Sequence, residues 1–374
     1  MKNKTQEIYV HIPFCARKCD YCDFVSFVTD DDTKKAYFSM LEKQIDMKAE
    51  SAGSLPVDSV FFGGGTPSLV DAGYIADVME HLRRRFLFTD DAEITIEMNP
   101  NSAHKDKLSV YRSAGINRLS IGLQSTVDEE LKRLSRLHSY EEFLRSYDLA
   151  RTVGFSNINI DIMSALPGQS SDSYTETLKK VCKLAPEHIS AYSLIIEEGT
   201  PFYERYKDGN GLPGEDLDRE MYHDTKRFLL TKGYERYEIS NYSKPGFECR
   251  HNVGYWTRKP YIGFGIAAAS LIDEVRYSMH GDLKRFLSGD LTEEIEHLEM
   301  KDRMAEFMFL GLRLIKGVSK KEFFDEFGVS MEKVYKKQLL RLSEEGLLAD
   351  GERVFLTEKG LDLANVCMAE FLPD

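Results

Sequence analysis

The sequence predicts an α/β fold in which a parallel sheet curves into a partial barrel of six strand–helix units. Three observations lead to this prediction. Short β-branched or apolar runs recur between residues 8 and 196, helix-like segments separate them, and glycine or proline marks many of the joints. Because a helix follows each strand, successive strands can run in the same direction and lie parallel. An open, doubly wound sheet is the alternative that this pattern also allows.

The elements of these units follow in order along the chain. The predicted strands are Ile8–Pro13, Ser59–Phe62, Glu93–Met98, Arg118–Ile121, Asn157–Met163 and His188–Ile196. The helices between them are Asp32–Ala49, Ala72–Phe86, Lys105–Ala114, Tyr140–Val153 and Ser171–Leu184. After Pro201 the alternation ends, and a stretch rich in Gly, Pro and acidic residues, Asp208–Asp218, predicts an exposed loop before a helix over Arg219–Lys232.

The last part of the chain has a different pattern. From Lys301 onward, three helices, a hairpin and a final helix predict a winged-helix-like α+β module. The predicted organisation is therefore a barrel core over residues 1–233, a connecting region over 234–300 with the single tryptophan, and a C-terminal domain over 301–374.

Composition limits the partners. The chain has 49 Lys and Arg against 62 Asp and Glu, a net charge of −13, which argues against nucleic acid as a partner. The longest apolar run, Tyr261–Ile272, contains two glycines and is shorter than the roughly 20 residues that cross a bilayer, so no transmembrane segment is expected. The sequence carries no indication of the oligomeric state.

Three of the six cysteines, Cys15, Cys19 and Cys22, follow the first predicted strand with C-x3-C-x2-C spacing. A disulfide framework would distribute cysteines in pairs, so this cluster predicts a reduced compartment and a metal site. Three thiolates can hold three corners of an iron–sulfur cubane and leave one iron open. Zinc with His11 as a fourth ligand, or three buried cysteines without metal, are the alternatives.

Other chemically active groups lie where successive strands end. They are the run Gly63-Gly64-Gly65-Thr66-Pro67, Glu97, Gln124 and Asp161. In parallel β/α folds, ligands bind at the carboxyl ends of the strands. The joint placement predicts one ligand-binding rim that includes the cysteines.

The cysteine loop together with GGGTP resembles the pattern of the radical S-adenosylmethionine (SAM) superfamily. The resemblance implies a partial (β/α)6 radical SAM barrel with a [4Fe-4S] cluster on Cys15, Cys19 and Cys22. It further implies that SAM chelates the fourth iron and that an electron cleaves the sulfonium to give a 5′-deoxyadenosyl radical.

Longer segments resemble the HemN/HemW group of this superfamily, which includes the anaerobic coproporphyrinogen dehydrogenases. These segments are YVHIPFCARKCDYCDF, GGGTPS, EMNP, GINRLSIGLQS, LPGQ and HISAYSLIIEEGTPF. The resemblance implies that Tyr9, Gly64 and Glu97 contact the cluster-bound SAM. It also matches Tyr21, Gly65, Thr66, Gln124, Arg136 and Asp161 to positions that hold a second SAM in the dehydrogenase. It assigns no catalytic residue. A rim salt bridge is the alternative for Arg136 and Asp161.

Two features resemble the HemW branch, whose members bind haem and transfer it to acceptor proteins. Phe24 occupies a position where the dehydrogenases have a further cysteine, and CRHNVGYW, ending at Trp256, resembles the HNxxYW signature. His251 is then the haem-ligand candidate, with Tyr255 and Trp256 as packing surfaces for the porphyrin, although the pair His-Asn could instead cap a helix within a core.

The resemblance to HemW implies further partners and a location. It implies haem as cargo, a haem-accepting protein, an electron donor for the cluster and a cytoplasmic location, with peripheral membrane association left open. The alternative function is oxygen-independent oxidative decarboxylation of coproporphyrinogen III, and cleavage of SAM in turnover stays an open question.

Overall fold

The computed structural model describes residues 5–51, 55–102 and 104–373. The outer limits of the first and last predicted regions, residues 1 and 374, lie outside these ranges. Six parallel strands form the centre: β1 (Gln6–Ile12), β2 (Val57–Gly64), β3 (Phe88–Met98), β4 (Arg118–Gln124), β5 (Ile158–Ser164) and β6 (His188–Ser193). Each predicted strand is thus present, and its bounds differ from the prediction by a few residues.

The predicted helices are all present, and two short helices, Asp128–Arg133 and Pro201–Tyr206, were not predicted. In chain order the helices are α1 (Asp31–Ser51), α2 (Ala72–Arg85), α3 (Lys105–Ser113), α4 (Asp128–Arg133), α5 (Tyr140–Thr152), α6 (Ser171–Lys183), α7 (Pro201–Tyr206) and α8 (Glu215–Thr231). The predicted loop over residues 208–218 is shorter, because α8 begins at Glu215. Three acidic residues in its first turn favour a helix start there.

The strand order resolves the alternative that the sequence left open. Strands β1 to β6 neighbour one another in chain order, whereas a doubly wound sheet reverses direction after its first strands. Right-handed crossovers in one direction place all the connecting helices on the same face. Alternate strand residues such as Ile8, Val10 and Ile12 are fully buried in the core beneath those helices. The other face is left as the lumen of a partial barrel.

Residues 234–300 extend the same sheet at both edges. The added strands are β7 (Glu235–Arg236), β8 (Asn241–Ser243), β9 (Tyr261–Phe264), β10 (Ala269–Ile272), β11 (Val275–Met279) and β12 (Glu293–His297). Helices α9 (Arg250–Trp256) and α10 (Leu283–Leu287) lie between them. Strand β9 pairs with β1 and β8 pairs with β6, so the sheet has twelve strands within residues 5–51, 55–102 and 104–373. The division at residues 233 and 300 stays a prediction.

The C-terminal module has its own hydrophobic core. Its elements are α11 (Met300–Gly311), β13 (Val318–Ser319), α12 (Lys320–Phe327), α13 (Met331–Glu344), β14 (Leu348–Asp350), β15 (Arg353–Leu356), α14 (Glu358–Asp362) and α15 (Ala364–Ala369). Three helices followed by a β14–β15 hairpin match the predicted winged-helix-like order. Arg258 joins the module to the barrel through carboxylates that include Glu306 and Glu326.

Within the described ranges, every helix is too short or too polar to span a bilayer.

Candidate functional site

The three clustered cysteines lie in the loop between β1 and α1. Two backbone hydrogen bonds close the base of this loop, from Cys15 N to Phe27 O at 2.9 Å and from Phe27 N to Pro13 O at 2.7 Å. A turn within it brings Cys22 N to 3.2 Å from Cys19 O. All three are free thiols of intermediate exposure that line one cavity at the carboxyl ends of the strands. The structure therefore places the predicted trio along the wall of one cavity.

The glycine-rich loop after β2 packs against the start of the cysteine loop. Gly64 has φ of +109°, and a Cβ there would lie 2.5 Å from a ring carbon of His11. A Cβ on Gly65 would lie 2.8 Å from both N and O of Phe14. Thr66 N donates to Phe14 O at 2.8 Å. Glycine is thus needed for close packing of two loops, in addition to any approach of a ligand.

Two carboxyl groups face the lumen beside these loops. Glu97 Oε2 accepts a hydrogen bond from Gly64 N at 3.2 Å. Burial, with a smaller contribution from Asp161, raises the pKa of Glu97 to about 8. Burial also raises the pKa of Asp161, whose Oδ1 accepts from Asn159 Nδ2 at 2.7 Å. Glu97 is accordingly protonated near pH 7 and can donate as well as accept a hydrogen bond.

Arg136 is held by the strand ends. Its Nη2 donates to Asn99 Oδ1 at 2.6 Å and to Gly122 O at 2.7 Å, and its Nη1 lies 3.8 Å from Cys19 Sγ. Among the described residues it forms no ion pair with Asp161, so the rim salt bridge is not present. A fixed guanidinium instead lies beside a cysteine of the trio.

Gln124 and Tyr21 complete the predicted set. Gln124 has a left-handed backbone with φ of +72°, at a register shift between β4 and β5. Non-glycine residues in this conformation are uncommon and occur often at functional sites. Tyr192 donates to Gln124 Oε1 at 3.2 Å. The Tyr21 ring packs near Phe202, with centroids 6.2 Å apart, and lines the same cavity as the cysteines.

His251 lies at the start of α9, and only 2% of its surface is exposed. Its Nδ1 is 2.9 Å from Ser59 Oγ, and its ring stacks on Phe61 with centroids 5.1 Å apart. Its buried Nε2 has no hydrogen-bond partner in the described part of the chain. Burial, and then the charge of Lys259, lowers the pKa of His251 to about 3. The imidazole is therefore neutral, and it lines a lumen cavity together with Tyr255.

The two aromatic residues of the same motif point in different directions. Tyr255 contacts His251 edge-on at 4.9 Å between centroids. The ring of Trp256 instead lies under the guanidinium of Arg313, which belongs to the C-terminal module. The guanidinium carbon is 4.3 Å from the centroid of the Trp256 ring. Adjacent helix positions differ by about 100° in direction, which explains the separation. The expectation that Trp256 packs on a ligand beside His251 is wrong.

The fourth ligand of the zinc alternative is already engaged. His11 Nδ1 is 3.0 Å from Tyr9 Oη, and His11 Nε2 is 2.9 Å from Val25 O. A ligating nitrogen would have to leave one of these partners. Among residues 5–51, 55–102 and 104–373, no three His, Cys, Asp or Glu side chains are gathered closely enough to hold a single ion.

Sequence reasoning missed three residues of the lumen. Arg118 and Tyr192 line its cavities, and Asn99 Nδ2 donates to Thr66 Oγ1 at 2.9 Å while its Oδ1 receives Arg136. A signal was present, since alternate residues of β4 and β6 face the lumen. Arg118 begins an apolar strand, where a charged residue is unusual.

Glu7 lies beneath this site, and its ionisation should make the folding stability depend on pH. It is fully buried, 3.3 Å from Lys259 Nζ, and burial raises its pKa to about 8. An unfolded carboxyl titrates near 4.5. Between these pH values the unfolded chain has lost a proton that the folded chain retains, so folding stability decreases as pH rises.

We expect Glu7→Gln to remove this loss, because an amide does not ionise. The free energy of unfolding of the variant should be close to that of the wild type at pH 5 and higher by about 1–3 kcal/mol at pH 8.5, as measured by urea unfolding at both pH values. Exposed Glu294→Gln is the control and should show no such difference. A gain at pH 5 equal to the gain at pH 8.5 would contradict the assignment.

Comparison with known proteins agrees with this architecture. The model of the radical SAM superfamily matches residues 9–181, and the model of the HemN C-terminal domain matches residues 298–363. Among solved structures, coproporphyrinogen III oxidase (HemN) from Escherichia coli has a TM-score of 0.87 at 26% identity, covering 99% of this chain and 90% of that one.

Curated relatives are more similar in sequence. The heme chaperone HemW of Bacillus subtilis (strain 168) is 34% identical over 372 residues, which are 97% of this chain and 98% of the relative. The heme chaperone HemW of Escherichia coli (strain K12) is 34% identical over 378 residues, covering 98% of each chain. With the cysteine loop, the glycine loop and the lumen arranged as described, the chain belongs to the HemW family of the radical SAM superfamily.

Proposed function

We propose that the protein binds haem and transfers it to an acceptor protein, with a [4Fe-4S] cluster and SAM as cofactors. The observation that carries the haem part is His251, a neutral buried imidazole that lines a lumen cavity and whose Nε2 has no hydrogen-bond partner among the described residues. Relatives that align over nearly their whole length bear the name heme chaperone. The acceptor protein, an electron donor and a cytoplasmic location belong to the same proposal.

The cysteine loop fits an iron–sulfur cluster by the chemistry of its donors. Cys15, Cys19 and Cys22 are unpaired thiols that line one cavity, and three thiolates leave a fourth iron of a cubane open. SAM bound at such a cluster supplies one-electron chemistry. We propose that Tyr9, Gly64 and Glu97 contact this SAM. The residues proposed for a second SAM are Tyr21, Gly65, Thr66, Gln124, Arg136 and Asp161.

The neighbouring side chains suit these tasks. Arg136 Nη1 donates toward Cys19 Sγ at 3.8 Å, so a cation lies beside one of the three thiols. Burial favours the protonated form of Glu97, and its ionised form would pair with the amino group of SAM. The carboxylate of Asp161 suits ribose hydroxyls, and the cation of Arg136 suits a carboxylate.

The hydrogen bond at Nδ1 orients His251 for ligation. If Nδ1 donates to Ser59 Oγ, Nε2 carries the lone pair, and neutral imidazole is a common axial ligand of haem iron. Phe61 and Tyr255 fix the ring from two sides. The motif therefore holds one nitrogen free in an aromatic environment, which a helix cap alone would not require.

His251→Ala is expected to remove the shift of the haem Soret band that the wild type produces during titration with haem. The reason is loss of the axial nitrogen, and absorption spectroscopy of the anaerobically prepared protein measures it. His297→Ala, which replaces an exposed histidine of β12, is the matched control and should titrate like the wild type. An unchanged Soret shift in the His251→Ala protein would refute ligation by this residue.

The structural likeness to HemN favours a second candidate function. At a TM-score of 0.87 the two chains share their architecture, and the relative's name denotes oxidation of coproporphyrinogen III. An anaerobic assay with SAM, a reductant and coproporphyrinogen III separates the candidates. Formation of protoporphyrinogen would favour the dehydrogenase, whereas haem binding without product would favour the chaperone.

A further inference from the structure

We propose that Arg118 binds a carboxylate inside the barrel lumen, and that a propionate of a bound porphyrin is the carboxylate it takes. The choice of porphyrin rests on the proposed function. The existence of a carboxylate site rests on Arg118 and its surroundings alone.

Arg118 is the first residue of β4, and strand pairing places it in one row across the sheet with Tyr9 and Phe61. Strand register pairs Tyr9 with Phe61, Phe61 with Thr95, and Thr95 with Arg118. Phe61 carries the stacked ring of His251. The side chain of Arg118 is 98% buried, and it lines the same lumen cavity as His251.

In the part of the chain that the structure describes, Arg118 has no partner for its charge. Among the described residues its guanidinium forms no hydrogen bond and no ion pair within 4.0 Å, and its buried Nε lacks an acceptor. Burial lowers the pKa of Arg118, but nearby groups, with Cys249 and Glu93 first, outweigh that effect and raise it. A charged, unpaired guanidinium in a buried site is unfavourable unless an anion completes it.

The nearest carboxylates are committed elsewhere. Asp161 Oδ1 accepts from Asn159 at 2.7 Å, and Ser120 donates toward its Oδ2 at 3.5 Å. Glu93 Oε1 receives the Cys249 thiol at 3.6 Å and the backbone N–H of His251 at 3.4 Å. Neither supplies the two parallel acceptors that a guanidinium binds best. The site is thus built for an incoming carboxylate.

The walls of this cavity indicate what carries the carboxylate. Tyr9, Phe24, Phe61 and Tyr255 line it together with His251, so the guanidinium shares its cavity with several flat aromatic side chains. A porphyrin combines an aromatic face, an iron for imidazole and two propionates. The methionine carboxylate of SAM offers the same anionic group without the macrocycle, and the experiment distinguishes the two sources.

The test uses the full-length, cluster-reconstituted protein and its Arg118→Gln and Arg118→Lys variants. Each is titrated with haem, with haem dimethyl ester, in which both propionates are blocked, and with SAM by equilibrium dialysis. We expect Arg118→Gln to weaken haem binding by about tenfold or more, to leave binding of the ester unchanged, and to leave SAM binding unchanged. Arg118→Lys keeps the positive charge but loses the two parallel donors of the guanidinium, so its affinity for haem should lie between those of the wild type and Arg118→Gln.

Two readouts separate a ligand-binding role from a structural one. Because Arg118 is unpaired in the ligand-free protein, we expect the ligand-free Arg118→Gln protein to melt at or above the wild-type temperature, and haem to stabilise the wild type more than the variant. Equal losses of haem and ester affinity, or a large decrease of melting temperature in both variants, would overturn the proposal.

The remaining outcomes are also decisive. Weaker SAM binding with unchanged haem binding would support the carboxylate site and overturn the porphyrin as its ligand. Unchanged affinities for haem and SAM would overturn the site itself. A wild type that binds no haem would refute the proposed function, and the SAM titration would then decide on Arg118 alone.

Discussion

Cys19→Ala is expected to abolish the iron–sulfur cluster. The loop offers three thiols, which can bind three irons of a cubane when SAM binds the fourth. The two thiols that remain in the variant are too few to hold the cluster. After anaerobic reconstitution we expect about four iron and four sulfide per wild-type chain and close to none for the variant. Colorimetric iron and acid-labile sulfide assays measure both quantities.

Cys182→Ala is the matched control for this prediction. Cys182 lies in α6, away from the loop, and burial raises the pKa of its thiol to about 11, so that it stays protonated. We expect this variant to retain the full iron and sulfide content. Wild-type amounts of both elements after alanine substitution of Cys15, Cys19 and Cys22 would refute the cluster assignment. Zinc without sulfide in the wild type would support the alternative metal.

Gly65→Ala should disrupt the same site through the backbone. The new Cβ would meet N and O of Phe14 at 2.8 Å, and neither backbone atom can rotate away as a side chain can. Phe14 precedes Cys15 directly, and its carbonyl accepts from Thr66 N. We expect a loss of about 1–3 kcal/mol in the free energy of unfolding, together with lower iron content after reconstitution. Urea unfolding and iron analysis measure the two effects.

Gly351→Ala provides the comparison for this glycine. A Cβ at position 351 would lie 3.8 Å from Arg353 O, which is ordinary van der Waals distance. We expect this variant to unfold within about 0.5 kcal/mol of the wild type and to take up the cluster normally. If Gly65→Ala behaved in the same way, the two loops would not be packed as closely as the structure places them.

The polar lumen is what distinguishes this sheet from an ordinary core. Successive residues of one strand point alternately toward the helices and toward the lumen. Ile94 and Ile96 are therefore buried beneath helices, while Glu93 and Glu97 face the lumen. Burial then raises the pKa of Glu97 and Asp161 and lowers that of His251. A site that keeps the Glu97 carboxyl protonated and the His251 imidazole neutral near pH 7 can respond to charged ligands by releasing or taking up protons.

Much of this architecture could be predicted from local sequence patterns. Apolar runs of the length of Asn157–Met163, each followed by a helical segment, were sufficient to predict six parallel strands, and the spacing of the cysteines indicated an iron–sulfur site. Both are local signals, since strand burial depends on residues within one segment and metal-ligand spacing depends on one loop. The family resemblance was likewise carried by short contiguous motifs.

The tertiary structure decided how groups that are distant in sequence meet. Strand order excluded a doubly wound sheet, because pairing between strands depends on register and crossover direction, which no single segment encodes. Helix geometry separated Trp256 from His251, and close packing placed Arg136 on Asn99 instead of Asp161. That Arg118 and Nε2 of His251 lack partners within the described ranges is a property of the assembled lumen. Such properties depend on every neighbour at once, and only the folded chain supplies those neighbours.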